Sequence, residues 1–370
     1  MRLRWLELLD LRNHERTRLD QIPAALITVV GPNGEGKSNL LEGIAFLFFL
    51  ASPRISTTQP LVREGKDAAY ARGEVETSTG RLLVEVEIRS RGADRVQANR
   101  SPVRRKRDVR RQIRAVFFGP DDLDVVRGDP SQRRRFMDEA LTSLWPLRGS
   151  AITAYERTLR QRNRLLKDWG GGGSPPGLQA WDEELVANGC ALMRLRSEAV
   201  ARLAPGAGEE FRDLSGYGLG CRYRPNVPGT GDQITADPLE AAFWARLEER
   251  RGDELVRRTS LVGPHRDDLE LAVRDLGARS FASHGEAWAA ALCLRLGLSS
   301  AIEAEIGEHP VLLLDDPFSA LDPRRQAQVG ARLAERGQVL ISVADEAHVP
   351  QRTQAVWDVS AGHVTVRGVA

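Results

Sequence analysis

The eight residues Gly31-Pro32-Asn33-Gly34-Glu35-Gly36-Lys37-Ser38 constrain this chain more than any other feature. They follow LITVV at 26–30, a short β-branched run of the buried-strand type, and precede a helical pattern over 38–50. Glycines in that window let the backbone wrap an anion with successive N–H groups turned inward. The helix that opens near Lys37 adds the positive end of its dipole. Lys37 supplies a compact charge for the β- and γ-phosphates of a nucleotide, and the Ser38 hydroxyl suits Mg²⁺; Asn39 is grouped with them. A planar arginine does not replace that lysine. Only four of the 53 basic residues are lysines (Lys37, Lys66, Lys106 and Lys167), so a lysine at this place is no accident of composition. The dinucleotide spacing G-x-G-x-x-G is not met, which disfavours NAD.

The other half of a nucleotide site lies far downstream. Val311-Leu312-Leu313-Leu314-Asp315-Asp316 is an apolar strand that ends in two carboxylates. Asp315 at the strand tip fits a Mg²⁺ contact, direct or through water. Asp316 can polarise a water for attack on the γ-phosphate. Alone such a strand end is common; paired with the loop at 31–38 it is specific.

At 370 residues the chain holds one large domain or two modest ones. Its longest apolar stretch, Ile44 to Ala51, falls short of the roughly 18 residues a membrane span needs. No apolar core with a small-residue cleavage site opens the sequence. The three cysteines (Cys190, Cys221 and Cys293) are far apart and odd in number, as expected of reduced thiols in a cytoplasmic protein.

The net charge is only +2, but residues 89–114 hold ten arginines and one lysine against two aspartates, a local +9 on a body of −7. That asymmetry suits a phosphate-backbone contact. Arg104, Arg105, Lys106, Arg107, Arg110 and Arg111 read as a short helix and as the first DNA-binding candidates; the bland reading is a solvated charge run. Arg133-Arg134-Arg135 opens a further helix, where positive charge opposes the dipole. An anionic partner or an internal interface explains that placement equally. No aromatic-interleaved basic stripe is present, so duplex or junction DNA is expected, with weak sequence preference and steep salt dependence.

Along the chain, residues 1–9 and 26–30 read as strands, 72–89 as a hairpin with Val84, Val86 and Ile88 on one face, and 115–120 as a buried strand. Helical spacing covers 131–144, 150–169 and 178–204, the last two forming a hairpin across the Gly/Pro-rich 170–177. Residues 205–236 read as loop, with a possible strand at 220–223. Strand and helix signals then alternate to the end, including helices at 286–305 and 323–335. The expectation is an α/β P-loop ATPase head built from 1–120 and 256–370, with a helical arm at 121–255 inserted between.

This motif order resembles the ATP-binding-cassette heads of chromosome-maintenance and DNA-repair ATPases, and within them the RecF family of bacterial recombination mediators. The resemblance spans nearly the whole chain. It rests on LDLRNHE, GPNGEGKSNLLEGI, FFGPDDLDVVRGDPSQRRRFMDE, YERTLRQRNRLLKDW, LVGPHRDDLEL and LLLDDPFSALD. It implies nucleotide contacts by Arg12 and Asn13. It implies a signature motif at Ser283-His284-Gly285-Glu286, whose helix start binds the γ-phosphate held by a second copy, and a D-loop at Ser319–Asp322. It also implies ATP-dependent dimerisation and a mediator partner, RecR, through which the recombinase RecA is loaded at single-strand gaps.

Departures from the family pattern suggest a slow switch. Glu286 replaces the usual glutamine and brings a negative charge near a phosphate, with His284 as a conceivable compensation. Asp316 stands where many cassette ATPases carry glutamate. Leu340 to Asp345 lacks the switch histidine of transporters. Three further readings compete: a transporter's nucleotide-binding subunit, a small-molecule P-loop kinase, and a non-hydrolysing DNA clamp. Gly263-Pro264-His265-Arg266-Asp267-Asp268-Leu269 is left between a structural ion-pair cluster and a part of the composite site.

Overall fold

The computed structural model describes residues 1–227 and 236–368. Three strands of mainly apolar sequence, Leu26–Val30, Val339–Val343 and Val311–Leu314, lie at the middle of a six-stranded sheet. All are buried along their length, as parallel strands covered on both faces must be. Ala115–Phe118 and Ala355–Ser360 flank them in parallel, and His363–Gly368 closes one edge antiparallel. The register Leu314↔Ile341 and Ile341↔Thr28 brings the ends of the three central strands to one rim.

A second, antiparallel sheet runs in the order His14–Leu19, Arg2–Leu11, Ala68–Thr77, Gly80–Arg89, Arg95–Ala98, Ser101–Pro102. Val84, Val86 and Ile88 do share its buried face. The helix Lys37–Phe49 fills the space between the two sheets, and Leu40, Leu41, Ile44 and Leu47 join residues of both in one apolar cluster.

The helices Pro130–Leu144, Ser150–Asp168 and Leu178–Ser215 form where the apolar spacing places them. Residues 205–215, read as loop, instead continue the third helix. Pro205 lies inside it, and Leu203, Ala207 and Phe211 are fully buried against the helix His284–Ile306. The two helices cross so closely that a β-carbon on Gly297 would sit 2.5 Å from the Ala207 nitrogen. Gly206 and Gly297 mark a tight crossing here, and the burial of Leu203, Ala207 and Phe211 offsets the hydrogen bond that the exposed Pro205 cannot make. The strand read at 220–223 is Leu219–Arg224. The stretch 228–235 of the expected loop lies outside the described residues. A helix not anticipated, Ala236–Arg257, follows it, with Leu239, Phe243 and Leu247 inside. Among the described residues no helix is long and apolar enough to cross a membrane.

Buried charge joins the helices to the strand Asp268–Val273. Arg133 forms a two-pronged pair with Asp268 (2.6 and 3.0 Å), Arg134 donates to the Asp267 carbonyl, and Arg135 pairs with Glu139. Arg133 and Arg134 therefore serve the internal interface, while Arg135 stays exposed in a pair along its own helix. Asp267 is fully buried and accepts from Tyr223, from the Asn226 N–H at 2.8 Å and from Arg196. His265 Nδ1 lies 2.6 Å from the Tyr155 hydroxyl, and Nε2 donates to the Ser260 carbonyl. The segment 263–269 is thus an ion-pair and hydrogen-bond cluster between these helices and a three-stranded antiparallel sheet of Leu276–Gly277, Asp268–Val273 and Leu219–Arg224.

Burial, reinforced by Arg266, Arg134 and Arg162, pushes the His265 imidazole down to about 4. An unfolded histidine titrates near its ordinary 6.5. Between those values the unfolded chain binds the extra proton, so this contribution is complete above pH 6.5 and fades as pH falls toward 4. At pH 4.5 the loss is about 2–3 kcal/mol. Urea unfolding at pH 7 and pH 4.5 is expected to show a smaller acid penalty for His265→Asn than for the native chain. Equal penalties would refute the assignment.

Candidate nucleotide site

The loop at 31–38 emerges from Leu26–Val30 and delivers Lys37 and Ser38 as the first residues of the following helix. Gly36 has φ = 116°, and a β-carbon there would strike the Asn13 side chain, so only glycine suits the position. The loop is clamped from outside. Asn13 donates to the Glu35 carbonyl at 2.8 Å and accepts from Asn39 at 2.9 Å. The His14 Nε2–H donates to the Gly36 carbonyl at 3.0 Å, and burial lowers the pKa of that ring. The N–H of Gly362 reaches the Glu35 carbonyl.

The Lys37 ammonium is buried and donates to the carbonyls of Gly31 (2.6 Å) and Pro32 (2.9 Å). Burial lowers its pKa, opposed by Asp315, Asp316 and Glu35. Ser38 donates to Asp315 at 2.8 Å, and Ser342 donates to the same carboxylate oxygen at 2.7 Å. The strand register explains this meeting, because Ser342 follows directly on the Leu314↔Ile341 pair. Asp316 has φ = 50°, and its N–H donates to the Ser342 hydroxyl at 2.9 Å. Burial first, and Asp315 second, raise the Asp316 carboxyl pKa. A carboxylate of raised basicity can polarise a water. These groups face a cleft of about 300 Å³ that Asn33, Gly34 and Arg54 also line.

Arg12 is placed differently from Asn13. Its guanidinium is paired with the buried Glu42 at 3.2 Å, and Arg54 and Ser52 converge on the same carboxylate. Sequence reading missed Ser342, Arg54, Glu42 and His14. The only signal for Ser342 is a lone hydroxyl in the apolar run VLISV. Glu42 shows only as an acid inside a helix that is otherwise buried.

Ser283 and Gly285 stand at the start of the helix His284–Ile306, away from the loop in sequence and beside the segment Ser319–Asp322. A side chain on Gly285 would press on the Ala320 carbonyl. Ser283 caps the helix by accepting the Glu286 N–H at 3.3 Å, and Glu286 answers by accepting the Ser283 N–H at 2.8 Å. Glu286 also accepts from Tyr217 and pairs with Arg274 at 3.0 Å. The hydrogen bonds from Tyr217 and the Ser283 backbone, with Arg274 nearby, hold its carboxyl down at about 2. The charge expected to trouble a phosphate is thus compensated within the chain, by Arg274 and Tyr217 instead of His284.

In the polybasic segment the helix is short, Lys106–Arg110. Lys106 donates to the Leu50 carbonyl at 2.6 Å, and Arg110 turns toward Thr142. Arg104, Arg105 and Arg111 are exposed and, with the half-buried Arg107, have no side-chain partner among the described residues.

The parallel sheet, the glycine loop, the carboxylate strand tip and the separate serine-capped helix define a P-loop ATPase of the cassette type. Residues 2–365 match the sequence model of the RecF/RecN/SMC N-terminal domain. The chain belongs to that family, on its RecF branch. It is 40% identical over 359 residues to the DNA replication and repair protein RecF of Streptomyces avermitilis, covering 95% of each chain. To the RecF of Cutibacterium acnes it is 37% identical over 382 residues, covering 97% of this chain and 96% of that one. A solved structure of the recombination mediator protein RecF with ATP, in the RecFOR pathway, superposes with a TM-score of 0.88 at 26% identity. The match covers 100% of this chain and 97% of the other. An SMC head domain from Pyrococcus furiosus, at 14% identity and a TM-score of 0.58 over 100% of this chain and 96% of that one, shares the fold.

Proposed function

We propose that this chain is an ATP-dependent DNA-binding protein of replication and recombinational repair, acting as two copies that close on two ATP molecules. The observation that carries the reading is the bond from Ser38 to Asp315, which joins the phosphate loop to the carboxylate strand across 277 positions of sequence. In this reading Gly31 to Asn39 cradle the triphosphate, with Lys37 at its β- and γ-phosphates and Asn13 bracing the loop from behind. Ser38 and Asp315 offer hard oxygen donors side by side, which fits Mg²⁺. That ion would neutralise phosphate charge. Asp316 holds the attacking water. Its short side chain sets hydrolysis slow, so that ATP binding closes the pair and hydrolysis reopens it.

The second half of each site is the Ser283–Gly285 helix start of the other copy, with Ser319–Asp322 crossing the interface. Residues 1–120 and 256–370 form the head and 121–255 the arm. A solved relative is described as the recombination mediator RecF of the RecFOR pathway. For this chain we infer the same setting, with RecR as direct partner and RecA loading as the outcome, in the cytoplasm, where Cys190, Cys221 and Cys293 stay reduced. A transporter subunit is disfavoured by the family and by the exposed arginines. Weak hydrolysis stimulated by DNA is part of the proposal, against a clamp that never hydrolyses.

DNA contact falls to the polybasic segment, with Arg104, Arg105 and Arg111 foremost. The test is duplex binding with and without ATP across a salt series. Wild type is expected to bind DNA only with nucleotide. Arg104→Glu/Arg105→Glu/Arg111→Glu should weaken binding at every sequence tested and flatten the salt dependence by about three counterions. An unchanged slope would remove this surface from the proposal.

A further inference from the structure

We propose that Trp288 is a positioning residue that ties the Ser283-capped helix to the backbone of Asp316, so that hydrolysis depends on the facing copy. The inference rests on the reading of Asp316 and of the paired copies given above.

Trp288 lies little more than one turn beyond the Ser283 cap, on the same helix, and is 5% exposed. Its indole N–H donates to the Pro317 carbonyl at 2.9 Å. Its ring meets Phe118 edge-on, with centroids 5.4 Å apart at 89°. Phe118 pairs with Leu314, and its carbonyl accepts the Asp315 N–H at 2.8 Å. One side chain therefore touches the end of the strand Ala115–Phe118 and the residue that follows the two carboxylates.

The Asp316–Pro317 step needs such support. Asp316 sits in the left-handed region at φ = 50°, which aspartate tolerates better than most residues but which still fixes the direction of its carboxylate only if the flanking backbone is held. On one side the Ser342 hydroxyl holds its N–H. Beyond it, Pro317 is buried and has no N–H, so its carbonyl is its only main-chain hydrogen-bonding group. The indole is its partner. Of the two anchors, only Trp288 belongs to an element whose start faces a second copy. A small movement of that helix on engaging the neighbour's phosphate passes through the indole to the Pro317 carbonyl, and so to the Asp316 carboxylate.

Trp288→Phe keeps the aromatic packing and removes the N–H; Trp288→Gln keeps an N–H donor and removes the packing. Steady-state hydrolysis, ATP affinity and ATP-dependent dimerisation are measured for both. Trp288→Phe is expected to lose about tenfold in kcat per dimer, with KM and dimerisation within about twofold of wild type. Trp288→Gln, though less stable, should hydrolyse faster than Trp288→Phe. If Trp288→Phe hydrolyses normally, if its kcat and dimerisation fall together, or if Trp288→Gln is the slower variant, the link is overturned and Trp288 is packing alone. Asp316→Asn is the control for the underlying reading. If it hydrolyses at the wild-type rate, the assignment of Asp316 fails, whichever way the tryptophan variants fall.

Discussion

Replacing Lys37 with methionine is expected to abolish ATP binding at cellular concentrations, and ATP-dependent dimerisation and DNA binding with it. The methionine side chain has nearly the length to follow the lysine path but carries no charge. The loop places Asp315 and Asp316 close enough to act on the Lys37 ammonium. Without that ammonium, an incoming triphosphate faces two carboxylates with one fewer cation. Losing one member of a buried charge pair at a binding site costs about 3–5 kcal/mol, or roughly 10²- to 10³-fold or more in affinity. The fold should tolerate the change, because the hydrogen bonds of the ammonium run to the loop carbonyls of Gly31 and Pro32 and tie no other element to the loop. Titration with a fluorescent ATP analogue, beside a thermal melt, checks this. An affinity within threefold of wild type would remove Lys37 from the site.

Ser283→Arg should separate binding from assembly. Ser283 is exposed and makes no contact with its own phosphate loop; its bonds run to Glu286. Losing the cap costs about 1 kcal/mol, spread over a helix of 23 residues whose interior is buried. The bulk of an arginine would stand where the facing copy must approach. ATP affinity should therefore stay at the wild-type value while the ATP-dependent dimer disappears, and hydrolysis should fall to background. Sedimentation with ATP and Mg²⁺ decides the matter, with Ser283→Ala as a milder control. A dimer of normal strength from the arginine variant would sink the facing-copies mechanism, even if Lys37→Met behaves as expected.

Much of the head was legible because its signals are local. A strand buried on both faces must be mostly apolar, and LITVV, VLLL and VLISV are, with Thr28 and Ser342 as the two exceptions. The helix start at Lys37 was legible for the same reason, since a glycine turn acts within a few residues; the one at Ser283 came with the family resemblance, the helix itself being read only from 286. The helix over 205–215 was not legible. Its glycine and proline read as loop, and only the partner helix at Gly297 gives Ala207 and Phe211 a buried place. The arginines at 133 and 134 were ambiguous until Asp268 and Asp267 stood opposite them. Glu286 looked like a defect until Arg274 and Tyr217 supplied its compensation.

By itself the amino-acid sequence pointed to a triphosphate site, because a glycine loop with its lysine, and a strand ending in two carboxylates, are each written in a few contiguous residues. Tertiary structure alone decided which side chains hold those groups in place: Ser342 beneath both aspartates, Trp288 on the Pro317 carbonyl, Glu42 under Arg12 and Arg54. Such partners come from strands and helices distant in the chain. Their pairing energy exists only after packing has excluded water and brought the two halves of the head together.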